Sequence, residues 1–145
     1  MQAIVIAVDV SSEANPVVEA LQNLYISPET TLVLAHVLAP VPSDIPADIP
    51  GKNSEPHEQI LKAEQYLESQ AKRIATTLGD EWNGVLEVEI ASGDPAEEIV
   101  RLAGIYEADL IVLGSRGLAG MNRVILGSVS AQVVEQSRCS VYVVK

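Results

Sequence analysis

The residues best suited to chemistry lie in one stretch, GSRGLAGMNRVILGSVS at 114–130. Gly114, Gly117 and Gly120 remove side chains where backbone amides could approach an anion, and Gly127-Ser128 stands at the start of a helix whose first N–H groups lack partners. A phosphate fits such a surface. Two familiar phosphate loops fail on spacing: no G-K-[ST] completes a Walker loop, and these glycines do not form G-x-G-x-x-G. No serine sits in a G-x-S-x-G elbow, so a hydrolase triad has no anchor. Arg116 and Arg123 lie inside the stretch, either as solvated charges or as neutralisers of a polyphosphate. Asp9, after the first strand, is either a turn residue or a ligand contact opposite the glycine loop. The other reactive types are scattered. His36, at a strand end, reads as a satisfied, partly buried histidine; His57 lies beyond a proline-rich loop, and no histidine cluster forms. Cys139 reads as a small buried hydrophobe, since only Arg138 beside it argues for a lowered pKa.

The glycine stretch needs elements to hold it, and the order of apolar runs supplies them. QAIVIAVD at 2–9 is a β-branched strand that stops at Asp9, and Ser11 and Ser12 can cap a helix starting near Ala14. TTLVLAHV at 30–37 repeats the strand signature. Pro40, Pro42, Pro46, Pro50 and Pro56 then exclude helix and central strand alike, which predicts a long loop. From His57 to Leu78, Ile60, Ala63, Leu67, Ala71, Ile74 and Leu78 recur at helical spacing, with Glu58, Glu64 and Glu68 on the solvated side and Gly79 placed to end the helix. VLEVEIA at 85–91 is followed by Gly93, Asp94 and Pro95, where Asp94 as cap, Pro95 at the first helical position and Glu97 three residues on spell a helix start. The last strands are DLIVL at 109–113 and SVYVV at 140–144, with a helix beginning near Ser128 between them.

Five β runs alternating with four helical segments predict an α/β, doubly wound, Rossmann-like fold: a five-stranded parallel sheet in the order 3-2-1-4-5 with helices on both faces. The ligand crevice of such a sheet lies outside the carboxyl ends of the strands where the order reverses, here at Asp9 onward and Gly114 onward. Composition agrees. With 145 residues and 48% apolar content the chain suits one domain, 1–145, and a core without Phe must be built from Val, Ile, Leu and Ala. Twenty acidic residues against nine basic ones leave a net charge of −11, which repels phosphate backbones and anionic bilayers, so no nucleic acid and no membrane is expected as a partner. One cysteine, no signal-like N-terminus and no apolar run of transmembrane length lead to the expectation of a cytoplasmic protein.

Gly114-x2-Gly117-x9-Gly127-Ser128 resembles the G-x2-G-x9-G-[ST] pattern of ATP-binding universal stress proteins. The likeness covers nearly the whole chain: VIAVDVSSEA at 5–14 is similar to the family's first strand and Asp turn, LAHV at 34–37 to its second strand, GDPAEEIVRLA at 93–103 to its third helix, and CSVYVVK to its end. The resemblance implies that Asp9 and the backbone near Val37 hold the nucleoside. It implies too that Gly114, Ser115, Arg116, Gly117, Gly127, Ser128, Val129 and Ser130 take ribose and phosphates of ATP, with Mg²⁺ or Mn²⁺ on the phosphates. Val10 stands where the family often has Gly, narrowing the adenine side, and Ser140 where it often has Pro.

The expected function is therefore an ATP-binding module in stress response or signalling, with hydrolysis at most weak because no residue stands out as a positioned base. The rivals are a slow ATPase on the same fold and a dimeric scaffold without nucleotide. A homodimer is expected through Ser140 to Val144, whose place at the sheet edge leaves an apolar strand unpaired.

Overall fold

The computed structural model describes residues 1–10, 15–38, 56–115 and 127–145. The elements in chain order are β1 (Ala3–Ala7), α1 (Pro16–Ala20), a 3-10 turn at Leu21–Asn23, β2 (Thr31–Leu38), α2 (Pro56–Leu78), β3 (Leu86–Ser92), α3 (Pro95–Ile105), β4 (Leu110–Gly114), α4 (Ser128–Gln136) and β5 (Ser140–Val144). All pairings are parallel and the order is β3-β2-β1-β4-β5. This is the doubly wound arrangement expected from the alternation of elements.

Period-two geometry sorts the central strands between two cores. Ile4, Ile6, Leu32, Leu34 and Val112 face α1 and α2, meeting Val17, Val18, Leu67 and Ile74. Val5, Val33, Ala35, Ile111 and Leu113 face α3 and α4, meeting Ala96, Ile99, Leu102, Ala103 and Val133. Burial on both faces is why these strands read as unbroken apolar runs rather than alternating ones. Each fully buried Val, Leu or Ile contributes about 1.5–3 kcal/mol relative to exposure.

Helix ends follow local chemistry. Asp94 Oδ2 accepts from the Glu97 N–H at 3.0 Å and Pro95 follows as the first helical residue. Gly79 takes φ +74°, the left-handed conformation that ends α2. Two expectations need correction. Helix α1 starts at Pro16 with Asn15 as its cap, its Oδ1 accepting from the Val17 N–H at 3.0 Å, whereas Ser11 and Ser12 lie outside the described residues. Asn-Pro supplies both a capping oxygen and a preset φ, which places the start after Ala14. Ile60 is exposed, because the packing of α2 begins only at Ala63. Cys139 is half-buried, with its thiol pushed up by burial. Glu58, Glu64 and Glu68 are exposed as expected. The proline-rich loop falls in 39–55, outside the described residues.

Candidate functional site

Strands β1 and β4 are neighbours at the centre of the sheet, yet the chain leaves β1 for α1 on one face and β4 for α4 on the other. In doubly wound sheets the ligand crevice lies outside the carboxyl ends of the strands at such a reversal.

On the β4 side the geometry is set by Ser115, which is buried. Its N–H donates to the Val144 carbonyl at 2.8 Å and its carbonyl accepts from the Gly127 N–H at 2.9 Å. The first bond fastens the end of β4 to β5, and the second pins the start of α4 beside the end of β4. Gly127 is the N-cap, with φ −65° and ψ 161°, and among the described residues no side chain caps the helix. The Ala131 N–H makes the first bond of the helix, to the Gly127 carbonyl at 3.0 Å. The amides of Ser128, Val129 and Ser130 precede that bond and have no acceptor within the helix. Such amides and the helix dipole together suit an anion, and no acidic residue stands in the first turn of α4. Ser128 is exposed there, whereas Ser130 is buried and donates its hydroxyl to the Gly127 carbonyl at 3.0 Å. The Ser130 hydroxyl thus braces the cap.

On the β1 side Asp9 is partly buried, and burial raises its carboxyl pKa above the ordinary range while the charge of His36 opposes the rise. The Asp9 carbonyl accepts from Asn15 Nδ2 at 3.3 Å, and the same nitrogen donates to the Tyr66 hydroxyl at 3.0 Å. Asn15, only 4% exposed, therefore caps α1 and ties the Asp9 turn to α2. His36 is buried and its Nδ1 donates to the Val8 carbonyl at 2.8 Å, the satisfied histidine foreseen from its place in the strand. Val37 lies beside it on β2, in register with Ala91.

Of the residues singled out from sequence, the sheet brings Asp9, Val37, Gly114 and Ser115 to one edge, and the Ser115–Gly127 bond adds Gly127, Ser128, Val129 and Ser130. Arg116 and Gly117, with Gly120 and Arg123, lie outside the described residues. Sequence reasoning missed Asn15 and Tyr66; the Asn-Pro pair at 15–16, built like Asp94-Pro95, was the available signal for the first. Among the described residues no group of three His, Cys, Asp or Glu could hold a metal ion, and none of their helices is long and apolar enough to cross a membrane.

A universal stress protein of Methanocaldococcus jannaschii is 38% identical over 87 residues, covering 60% of this chain and 49% of that protein. The match spans about half the length of such curated relatives, 49% and 54% for two of them. The solved structure of a second universal stress protein of the same organism superposes with a TM-score of 0.72 at 25% identity, covering 99% of this chain and 95% of the other. Two more distant structures share the fold. One is a universal stress protein in complex with cAMP, with a TM-score of 0.63, 23% identity and coverage of 99% and 95%. The other is an Arabidopsis thaliana family member with AMP bound, with a TM-score of 0.61, 20% identity and coverage of 100% of this chain and 92% of that one. The sequence pattern of the universal stress protein family matches residues 1–145, and with this fold the chain belongs to that family.

Proposed function

We propose that this protein binds an adenine nucleotide in the crevice between the Asp9 turn and the start of α4, and that the liganded state serves a stress or signalling role. The observation that carries the reading is the uncapped end of α4. Three amides without helical acceptors stand at the topological switch point, held there by the Ser115–Gly127 bond. Oriented donors of this kind suit phosphate. That solved members of the fold hold AMP and cAMP supports adenine as the base.

In this reading Gly114, Ser115, Arg116, Gly117, Gly127, Ser128, Val129 and Ser130 surround ribose and phosphates, while Asp9 and Val37 meet the nucleoside. ATP is the proposed physiological ligand. A divalent ion would be carried by the phosphate oxygens, with the exposed Ser128 hydroxyl as the neighbouring protein oxygen. We assign the protein to the cytoplasm and to a homodimer formed through the outer edge of β5.

Native mass spectrometry of the purified protein, followed by thermal denaturation with AMP, ADP and ATP with and without Mg²⁺, tests the proposal. At a hundredfold excess over the dissociation constant, a ligand of the folded state adds about 2.7 kcal/mol of stability. Gly117→Val, which places a branched side chain where phosphate must approach, should lose that gain while leaving the ligand-free Tm near wild type. No co-purified nucleotide and no shift with any of the three would overturn the reading.

A further inference from the structure

We propose that His36 is a positioning residue for the base: by taking the Val8 carbonyl it ends the β1–β2 ladder one step early and leaves the Val37 backbone directed into the crevice. The inference rests on the nucleotide reading above and adds a residue to it.

The register carries the argument. Along β2 the backbone groups of alternate residues face opposite neighbours. Thr31 donates to Gln2 and the Ala35 carbonyl accepts from Val8, at 3.0 and 2.9 Å, so odd-numbered residues face β1. Leu32 donates to Val85 and the Leu38 carbonyl accepts from Gly93, at 2.8 and 3.1 Å, so even-numbered ones face β3. Val37 therefore presents its N–H and C=O on the β1 side. In a continued parallel ladder its N–H would donate to the Val8 carbonyl, the acceptor that follows the Val8–Ala35 bond. The His36 imidazole stands on that carbonyl instead, at 2.8 Å. A carbonyl only accepts, so Nδ1 carries the proton. His36 is 9% exposed, which fixes the ring in place. The Asp9 turn then leaves the sheet, held on its other flank by Asn15 Nδ2 at the Asp9 carbonyl.

A donor and an acceptor from one residue, side by side at the edge of a crevice, match a planar heterocycle that offers an acceptor next to an amine. Adenine does so through N1 and its 6-amino group. Guanine presents the complementary groups in the opposite order, a ring N–H beside a carbonyl oxygen. Without the imidazole, the bare Val8 carbonyl has one obvious new partner, the Val37 N–H. The ladder would zip by one step and close the base edge, a rearrangement that satisfies the backbone and lets the protein fold.

The test compares wild type, His36→Leu and His36→Asn, whose side-chain amide can replace the Nδ1 donor, by calorimetry with AMP and GMP and by amide hydrogen exchange of the free proteins. His36→Leu should weaken AMP binding about tenfold or more, as expected for loss of a buried hydrogen-bonding edge, and should lose the preference for AMP over GMP. Its Val37 amide should become protected to the level of those inside the β1–β2 ladder. His36→Asn should restore affinity, preference and rapid exchange at Val37. Wild-type AMP binding and preference that His36→Leu leaves unchanged would overturn this inference alone. Absence of AMP binding by wild type would overturn the nucleotide reading and this inference with it. If His36→Leu does not fold, wild type decides: a Val37 amide that exchanges readily and becomes protected on adding AMP supports the assignment, and one already protected in the free protein refutes it.

Discussion

The Gly127 N–H donates to the Ser115 carbonyl at 2.9 Å, so the start of α4 is held beside the end of β4. That bond fixes the amides of α4 without any side chain. It also makes them separable from the stability of the helix. Gly127, with φ −65° and ψ 161°, already has the extended backbone that a following proline requires, and the first helical position accepts proline well. Ser128→Pro should therefore keep the ligand-free Tm within a few degrees while removing one donor. A hydrogen bond to a charged group contributes about 1.5–3 kcal/mol, so the nucleotide dissociation constant should rise about tenfold or more by calorimetry. Ser128→Ala keeps the amide and separates the hydroxyl's contribution. Unchanged affinity in Ser128→Pro would place the phosphates elsewhere.

Asp9 should set function against stability. Burial raises its folded pKa above the ordinary 3.8, with His36 opposing, so the folded protein holds this proton more tightly than the unfolded chain does. The stability tied to that proton is fully present below the unfolded value and is lost as pH rises through the folded one. Asp9→Asn should accordingly melt above wild type at neutral pH, with the gap closing toward about pH 3. The same variant should lose much of its nucleotide-dependent shift. A neutral-pH Tm below wild type would show that the carboxylate stabilises the fold.

Asp109 has the opposite sign. Its carboxylate accepts from the backbone N–H groups of Gln2 and Ala3, and these bonds hold its pKa below the ordinary 3.8. The associated stability is present above the unfolded value and disappears as pH falls through the folded one. Asp109→Ala should lower the Tm at neutral pH and speed exchange of the Gln2 and Ala3 amides, and the Tm deficit should shrink in acid. A deficit that is constant with pH would assign the effect to packing.

Two glycines should respond oppositely to the same substitution. A Cβ on Gly84 would lie 2.1 Å from the Thr30 carbonyl oxygen and 2.8 Å from Trp82 Nε1, the two atoms that form a 3.0 Å hydrogen bond. Backbone cannot yield there cheaply, so Gly84→Ala should destabilise by about 1–3 kcal/mol and alter the fluorescence of Trp82, the sole tryptophan. Gly104, inside α3, has nothing within 4 Å of such a Cβ. Gly104→Ala should stabilise by about 0.5–1 kcal/mol, as read by denaturant titration.

The proposed dimer is tested at β5. Its pairing with β4 occupies one side, while Val141, Tyr142, Val143 and Val144 are all partly exposed. Val143→Pro interrupts any further ladder on the outer side and should halve the mass seen by light scattering. A monomeric wild type would rule out the arrangement.

Much of this fold was legible because it is locally encoded. Asp94-Pro95 and Gly79 announce helix ends through their own dihedral preferences, and β1, β2 and β4 announce burial on both faces through unbroken apolar runs. Where two local signals compete, as Ser11 and Ser12 do with Asn15-Pro16, position along the chain does not decide; the proline does, because its fixed φ starts the helix. Ile60 continues the apolar spacing of α2 but falls before the helix meets its core, and periodicity carries no information about where packing begins. The glycine pattern spans the end of β4 and the start of α4, but its middle, Gly117 and Gly120, lies outside the described residues. The contacts of His36 with Val8, and of Asn15 with Asp9 and Tyr66, depend on which strands and helices become neighbours and leave no trace in composition.

Ser115 gives one backbone group to Val144 and the other to Gly127, so the edge strand and the amide end of α4 are fastened to the same residue. This imposes a thermodynamic reciprocity on the two proposed interactions. Whatever factor pairing across β5 applies to nucleotide affinity, nucleotide must apply to the pairing, since the coupling free energy is a single quantity shared by both sites. The oligomeric state and the cell's nucleotide level would then be two readings of one equilibrium, joined through the main chain of a buried serine.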